Sequence, residues 1–250
     1  MLANLNIKDK RILYQLDIDC RQTNAEIGKK VGLSKQVVEY RIKKLVKDGI
    51  ITRFATVVDT YKIGFSKYKI YISLENVNKS VMHEIMVFLK NHKKTEWVAA
   101  CSGKFDIIAG YVVKDVYEFN VAINELDEKY SRYIGLREIT VSLGAPHWRK
   151  EYILDNKEPF PVAYQGGKKG EIKIDRIDEE IIKILVNNAR MNVVDIAKRL
   201  KTTPRIISYR IKNLKKRNII LINRIFLNLN KFDWIYCKVL IKFKSLTKEK

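Results

Sequence analysis

Cysteine, histidine and long apolar runs are scarce in this sequence. Its three cysteines, Cys20, Cys101 and Cys237, are isolated and odd in number, which suits a reducing cytoplasm better than a disulfide framework. No segment approaches the roughly 18 apolar residues of a membrane span, and residues 1–11 lack the apolar core of a secretory signal. The cysteines and histidines show no metal-ligand spacing, and no nucleophile is paired with a base. The sequence therefore predicts no metal or other cofactor, and it favours binding over catalysis in the cytoplasm.

Acidic residues are also in deficit, and the deficit is uneven along the chain. The sequence has 28 Asp and Glu against 49 Lys and Arg, for a net charge of +21. Residues 1–60 carry a net charge of +5, whereas residues 173–250 carry 20 basic and 7 acidic residues, a net charge of +13. Clustered basic charge attracts polyanions, and nucleic acid is the default partner. A solvated basic face without a partner is the alternative, and a membrane surface is disfavoured because no basic stretch has a strong apolar face.

One unit is present twice in the sequence. Residues 32–55 read GLSKQVVEYRIKKLVKDGIITRFA, and residues 201–224, which lie 169 positions later, read KTTPRIISYRIKNLKKRNIILINR. The segment YRIK at 40–43 recurs unchanged at 209–212, and the offset holds without a gap over residues 9–69 of the first copy. A repeat of this length is a duplicated module.

The first copy predicts a winged helix-turn-helix. Helix-capping signals stand at Thr23 and Ser34, and Gly49 ends the third helix in the left-handed region. Apolar residues recur at helical spacing around these signals, and residues 50–58 then predict a strand and wing in a terminal hairpin. The buried stripe of the predicted third helix is Val38, Ile42 and Leu45.

The second copy keeps this design at a higher positive charge. Thr203-Pro204 is a strong helix start, because Thr caps helices and Pro is tolerated at the first helical position. Asn218 replaces Gly49 and is among the residues that tolerate left-handed backbone. Residues 201–224 contain eight Lys and Arg and no carboxylate, so the basic excess lies mainly on this copy.

Polar side chains on the third helix and wing of each copy are the candidate DNA contacts. Recognition helices use Arg, Lys, Gln and Asn for base edges, and Lys, Ser and Tyr for phosphates. The four residues shared by both copies, Tyr40, Arg41, Tyr209 and Arg210, are predicted to contact phosphate or brace the helix. Gln36 and Arg205 differ between the copies and are candidates for specificity. The predicted contacts are Ser34, Lys35, Gln36, Tyr40, Arg41, Lys43, Lys44 and Arg53 in the first copy, and Thr203, Arg205, Ser208, Tyr209, Arg210, Lys212, Lys216 and Arg224 in the second.

The segment between the copies predicts a ferredoxin-like domain. Apolar and polar residues alternate from Tyr68 to Glu75, and a helix opens at Ser80. Two strands then form a hairpin around Gly103, a second helix opens at Asp115, and a last strand contains Ile139. The order βαββαβ is the ferredoxin-like arrangement.

These segments together resemble the Lrp/AsnC (feast/famine) transcription regulators of bacteria and archaea. The resemblance rests on DKRIL at 9–13, on the third helix, on GII at 49–51 and on GKFD at 103–106 between two strands. The second copy repeats the first part of this pattern. The resemblance implies transcriptional regulation on double-stranded DNA, a homodimer or higher homo-oligomer formed through the effector domain, and often an amino-acid effector. In that family ligands bind near the Gly…Asp hairpin, so Gly103 and Asp106 are candidate effector residues; ordinary turn chemistry is the alternative.

The predicted fold class is α+β, with two winged helix-turn-helix domains flanking a ferredoxin-like effector domain. The expected order is a DNA-binding domain at 1–58, an effector and dimerisation domain at 62–148, a Pro- and Gly-containing linker at 149–172, and a second DNA-binding domain at 173–228. Residues 234–250 align with the first strand of the effector domain, so we expect a second effector domain that is truncated.

Two other functions fit the same architecture. A siroheme decarboxylase-like enzyme would need His and Arg clustered near the sheet, and His147-Trp148-Arg149 is the sole suggestive cluster. A protein-interaction adaptor that has lost DNA binding would not need third helices that stay basic. DNA binding is therefore the preferred interpretation.

Overall fold

The computed structural model describes residues 5–154, 161–232 and 236–243. No helix in these ranges is long and apolar enough to cross a membrane. Short 3-10 turns follow α5, β6 and β8. The helices and strands, in chain order, are α1 (Ile7–Ile18), α2 (Asn24–Val31), α3 (Lys35–Lys47), β1 (Ile51–Val58), β2 (Ser66–Leu74), α4 (Lys79–Asn91), β3 (Thr95–Ala100), β4 (Ile107–Val113), α5 (Val116–Tyr130), β5 (Ile134–Ser142), β6 (Gly144–Trp148), β7 (Pro161–Gly166), α6 (Arg176–Asn187), α7 (Val193–Arg199), α8 (Pro204–Lys216) and β8 (Ile220–Leu227).

Each copy of the repeat folds into three helices and one strand, which we call the first head (residues 7–58) and the second head (176–227). The capping predictions are confirmed. Thr23 and Glu26 form a reciprocal capping box at α2, and Ser34 and Thr203 accept hydrogen bonds from the first turns of α3 and α8. Asn218 has φ of 52°, close to the 68° of Gly49, so both third helices end in left-handed backbone. The buried stripes Val38, Ile42, Leu45 and Ile207, Ile211, Leu214 face the two head cores.

The wing strand of each head pairs with the wing strand of the other head. β1 and β8 form an antiparallel two-stranded sheet, in which Ala55 faces Arg224, its own equivalent in the repeat. The register is reciprocal on both sides of this pair. The terminal hairpin predicted for each copy is therefore wrong, because the strand finds its hydrogen-bond partner 169 positions away rather than in a neighbouring strand. The two heads are related by a local pseudo-twofold axis at the Ala55–Arg224 pair.

Reciprocal hydrogen bonds tie the two heads together around this axis. Arg21 donates to carbonyl oxygens of residues 189 and 191, and Arg190, its equivalent, donates to those of residues 20 and 22. The backbone N–H groups of residues 20 and 189 each donate across the axis to a strand carbonyl at 2.9 Å. Each copy thus satisfies buried polar groups of the other, as the halves of a symmetric dimer do.

The segment between the heads is the predicted ferredoxin-like domain. β2–β5 form an antiparallel sheet in the order β3-β4-β2-β5, and α4 and α5 cover one face. This confirms the βαββαβ prediction. Asp115 caps α5 as predicted, whereas α4 begins at Lys79 on the cap Asn78, ahead of the predicted start at Ser80. The core of this domain includes Ile70, Ile72, Ile85, Leu89, Ile107, Phe119 and Leu126.

The predicted linker at 149–172 contains regular structure where it is described. β7 pairs antiparallel with β6 in a two-stranded sheet that is separate from the effector sheet. Ile153 is fully buried in the core of the first head, and the Tyr14 hydroxyl donates to Glu151 at 3.0 Å. Residues 155–160, including Pro159 of the predicted linker, lie outside the described residues. The segment therefore anchors the effector domain to α1 rather than only connecting the two halves.

The predicted strand at 234–250 is described only over residues 236–243, and no strand is assigned there. A single strand without a neighbour has no hydrogen-bond ladder, which accounts for this difference. The Lys238 ammonium lies 4.8 Å from the ring centroid of Tyr71 and 5.4 Å from that of Trp97. This segment therefore lies against the sheet face that α4 and α5 leave open.

Candidate nucleic-acid interface

The third helix of the first head exposes most of its predicted contacts. Val38, Ile42 and Leu45 hold α3 on the head core, so the polar residues between them face outwards. Tyr40 is 67% exposed. The exposed predicted contacts on α3, its cap and β1 are Ser34, Lys35, Gln36, Tyr40, Lys43, Lys44 and Arg53.

α8 presents the equivalent surface of the second head. Tyr209, the counterpart of Tyr40, is 70% exposed. No carboxylate occurs on α8, whereas α3 has Glu39. The exposed predicted contacts on α8 and its cap are Thr203, Arg205, Ser208, Tyr209, Lys212 and Lys216. The second head therefore offers the more strongly cationic reading surface.

The shared arginines brace the third helices. The Arg41 guanidinium donates to Asp9 at 2.8 Å, and Arg210 donates to Asp178, the equivalent of Asp9, at 3.0 Å. Arg210 also donates to Asp175 at 2.7 Å, and the pKa of Arg210 is raised by these hydrogen bonds. Both guanidiniums fasten the third helix to the first helix of their own head, which agrees with the bracing alternative for these two residues.

Arg224 does not lie on an exposed wing. It is 7% exposed, and its guanidinium forms a bidentate pair with Asp17, with the Nη2 atom 2.9 Å from both carboxylate oxygens. Nη2 also donates to the carbonyl oxygen of Trp148 at 2.8 Å. Because this side chain is buried and hydrogen-bonded to Asp17 and Trp148, it is not available to contact DNA. The prediction that Arg224 contacts DNA is therefore wrong. Its role is to join the two heads.

Lys150 completes this buried charge cluster. Its ammonium contacts the Asp17 carboxylate and donates to the carbonyl oxygen of Ile225 at 3.2 Å. Burial lowers the pKa of Lys150 to about 8, against which the Asp17 carboxylate acts. The cluster is asymmetric, since the places related by the pseudo-twofold axis to Asp17 and Arg224 hold Val186 and Ala55.

One pair of apolar residues on the reading surface was missed from the sequence. Val37 and Ile206 occupy equivalent positions in the first turns of α3 and α8 and are 38% and 42% exposed. Apolar side chains in the major groove contact the thymine methyl group. The available signal was their position one residue before the buried stripe in both copies, where a side chain points outwards.

Glu39 is the charge that distinguishes α3 from α8 most directly. Its carboxylate pairs with Lys43 at 2.7 Å, and the hydrogen bond from Lys43 lowers the pKa of Glu39. The equivalent residue of the second head is Ser208, which leaves Lys212 without such a partner on its own helix. The pair reduces the positive charge that the first head offers to phosphates.

Replacing Glu39 with Gln is therefore expected to strengthen binding to a duplex of arbitrary sequence about two- to threefold, because the change frees Lys43 and removes a repelling charge. Affinity measured by fluorescence anisotropy at about 50 mM salt tests this. Glu180→Gln is the matched control, since Glu180 pairs with Lys183 at 2.7 Å on α6. Unchanged affinity in Glu39→Gln would show that α3 does not approach the phosphates.

The candidate effector residues lie in the hairpin between β3 and β4. Gly103 has φ of 122°, a conformation that glycine adopts readily. The Asp106 carboxylate accepts a hydrogen bond from the Leu74 N–H at 2.7 Å, so it holds the end of β2. These contacts account for both residues through turn chemistry. Among the described residues, no group of three or more His, Cys, Asp or Glu is arranged to hold a metal ion.

Comparisons with known proteins match both heads and the overall chain. A winged helix-turn-helix DNA-binding model matches residues 5–52, and an AsnC-type helix-turn-helix model matches residues 174–215. The transcriptional regulator AzlB of Bacillus subtilis is 31% identical over 124 residues, which cover 49% of this chain and 79% of AzlB. The crystal structure of an AsnC family transcriptional regulator from Agrobacterium tumefaciens has a TM-score of 0.52 at 20% identity, covering 58% of this chain and 95% of that chain. The siroheme decarboxylase NirDL has a TM-score of 0.56 at 15% identity and covers 88% of this chain and 65% of its own.

Two basic helix-turn-helix heads around a ferredoxin-like domain define a DNA-binding protein of the winged helix-turn-helix class. The chain belongs to the Lrp/AsnC family of transcription regulators, as the match to AzlB and the AsnC-type head show. The similarity to NirDL concerns the fold alone at its level of identity. The relationship to regulators agrees with the prediction that the chain is not an enzyme.

Proposed function

We propose that the two heads of one chain bind a single DNA duplex as a built-in pair and regulate transcription from a specific site. The pseudo-twofold axis between the heads carries this proposal. DNA has local twofold symmetry, so two recognition helices related by a twofold axis enter major grooves on one face of the duplex. A conventional dimer needs two chains for this arrangement, whereas here the reciprocal strand pairing supplies it within one chain.

The two heads divide the work in this proposal. α8 carries Lys212, Lys215 and Lys216 without a carboxylate, so the second head supplies most of the phosphate-dependent affinity. α3 carries Gln36, and its Lys43 is paired with Glu39. Base contacts should therefore contribute a larger share of the binding energy of the first head. Tyr40 and Tyr209 contact the backbone from equivalent exposed positions.

The test is fluorescence anisotropy with the duplex of the protein's own promoter and a shuffled duplex, from about 50 to 200 mM salt. We expect a preference for the promoter that survives at the upper salt concentration. Gln36→Ala and Arg205→Ala are each expected to reduce that preference by about 1–3 kcal/mol, the range for a good bidentate base contact. Binding to the shuffled duplex should change much less in Gln36→Ala, because that change removes no charge.

Lys90→Ala is the matched control for the loss of a positive charge. Lys90 lies exposed near the end of α4, in the effector domain, and its replacement should leave both affinities unchanged. Equal affinity for the two duplexes at every salt concentration would argue against a sequence-reading regulator, or show that the promoter lacks the site. No binding at any salt concentration would refute DNA binding by this chain.

A small-molecule effector, such as an amino acid, is a second part of the proposal. It rests on family membership, which makes the hairpin that contains Gly103 and Asp106 the candidate binding site. Calorimetric titration of the full chain with each of the common amino acids tests it. We expect one of them to bind and to alter the promoter affinity, and no heat of binding from any of them would contradict this part of the proposal.

A homodimer or larger homo-oligomer formed through the effector domain completes the proposal. The sheet face away from α4 and α5 is covered in part by residues 236–243, but Trp97 and Leu136 remain 37% and 44% exposed on it. Large apolar side chains on an open sheet face are typical of an interaction surface. Leu136→Glu is expected to lower the sedimentation coefficient, and an unchanged monomeric value in both proteins would contradict this assembly.

A further inference from the structure

The buried charges between the heads favour pairing of unlike heads. Asp17 belongs to the first head and Arg224 to the second, and they meet in the bidentate pair beside the pseudo-twofold axis. The Asp17 side chain is 1% exposed and the Arg224 side chain is 9% exposed. At the place related by the axis, the same two positions hold Val186 and Ala55, which are apolar.

Pairs of like heads would separate Asp17 from Arg224, so that Asp17 would keep only Lys150 and Arg224 would have no carboxylate partner. Two first heads would bring Asp17 against Ala55 on both sides of the axis, and two second heads would bring Arg224 against Val186 on both sides. A buried charge that has lost its partner is strongly disfavoured, because nothing replaces its hydration. A first head therefore pairs with a second head. Because both heads belong to one polypeptide, the second head of the same chain is the available partner.

The two recognition helices that this pairing combines are not the same. Gln36 and Arg205 occupy equivalent exposed positions in the first turns of α3 and α8. A Gln amide is suited to the N6 and N7 atoms of adenine, and an Arg guanidinium to the O6 and N7 atoms of guanine. Glu39 and Ser208 also differ at equivalent positions.

From the pairing and the helices together, we infer that this chain recognises a non-palindromic DNA site. The site consists of two inverted half-sites that differ where Gln36 and Arg205 reach the bases, with adenine in the first half-site and guanine in the second. The inference rests on the proposed function and specifies its substrate. The inverted order follows from the pseudo-twofold axis, and the inequality of the half-sites follows from the two side chains.

Selection of bound duplexes from a randomised library, with the full chain, tests the inference without knowledge of the natural operator. We expect an enriched motif with two inverted, unequal half-sites. In anisotropy titrations, exchanging the adenine of the first half-site for guanine should weaken wild-type binding about tenfold or more. The reverse exchange in the second half-site should have a similar effect.

Two single variants assign the half-sites to the heads. Gln36→Arg should convert the enriched motif to one with guanine in both half-sites, and Arg205→Gln should convert it to one with adenine in both. Both residues are exposed on their helices, so the heads should keep their fold. The double variant Gln36→Arg with Arg205→Gln should exchange the two bases, so that guanine is selected in the first half-site and adenine in the second.

A wild-type motif with identical half-sites would overturn the inference and leave the proposed function in place. The same holds if neither swap alters the motif. Failure to enrich any motif, together with binding that disappears as salt rises, would overturn the proposed function itself and the inference with it. The selection separates these outcomes, because it gives unequal half-sites, identical half-sites or no motif.

Discussion

Replacing Arg224 with Ala is expected to lower the free energy of unfolding of the joined heads by about 3 kcal/mol, the lower end of the range for a broken buried ion pair, because the Asp17 carboxylate loses its bidentate partner. The Asp17 carboxylate would keep the Lys150 ammonium, but it would lose the bidentate hydrogen bonds from the guanidinium. Urea denaturation followed by circular dichroism gives the change in free energy.

Cys20 provides a local measurement of the same change. Its side chain is fully buried where the heads meet, its backbone N–H donates to the β8 strand, and burial raises the pKa of its thiol to about 12. A thiol reagent therefore reaches Cys20 only when the heads separate or unfold. We expect Arg224→Ala to accelerate the labelling of Cys20, with the exposed Cys237 as the internal reference.

Two further variants separate the lost ion pair from a general loss of packing. Arg53→Ala removes an exposed arginine from β1, whose guanidinium lies 4.6 Å from the ring centroid of Phe226, and it should cost about 1 kcal/mol or less. Asp17→Val and Lys150→Met combined with Arg224→Ala remove all three buried charges, so this triple variant should be more stable than Arg224→Ala alone. A stability loss in Arg224→Ala no larger than in Arg53→Ala would refute the proposed role of the buried pair.

Removing three cations from α8 is expected to reduce binding to a shuffled duplex by a factor on the order of 10² to 10³ at about 0.1 M salt. The change combines Lys212→Ala, Lys215→Ala and Lys216→Ala, all at exposed positions. If each lysine contacts a phosphate, the negative slope of log affinity against log salt concentration should become shallower by about 3. Because Ala is a good helix former, the helical circular dichroism signal should be retained.

The matched control removes the same charge from the effector domain. Lys79→Ala, Lys90→Ala and Lys93→Ala are three exposed replacements far from the recognition helices in the sequence. We expect the salt slope of this variant to equal that of the wild type. Equal losses of affinity in the two triple variants would show that binding depends on total charge and not on the surface of α8.

The local features of the fold were predictable from the sequence because they depend on neighbouring residues. The caps at Thr23, Ser34 and Thr203, and the left-handed Asn218, are each determined within one helical turn. The ferredoxin-like order follows similarly from alternating and helical periodicities. The same reasoning placed the exposed polar residues of α3 and α8 correctly, since the buried stripe of a helix fixes its opposite face.

The relation between the heads was not predictable in this way. Strand pairing between β1 and β8 joins residues that are between 162 and 176 positions apart, and no pattern within either strand indicates which strand it pairs with. The sequence predicts a DNA contact for Arg224 because it lies on the expected wing, whereas its charge is balanced by Asp17 in the other copy. A comparison of the two copies contains the missing signal, since Arg224 and Asp17 each replace an apolar residue at the equivalent position.

Joining both heads in one polypeptide also changes how the regulator responds to dilution. A two-chain reader separates into halves when its cellular concentration falls below the dissociation constant of the dimer. Here the strand pair at Ala55 and Arg224 forms within one molecule, where a tethered partner has an effective concentration that dilution does not lower. Occupancy of the operator by the heads should then rise in simple proportion to the number of molecules when these are few. Even in a cell that contains only a few copies, each molecule would keep its two heads paired for DNA binding.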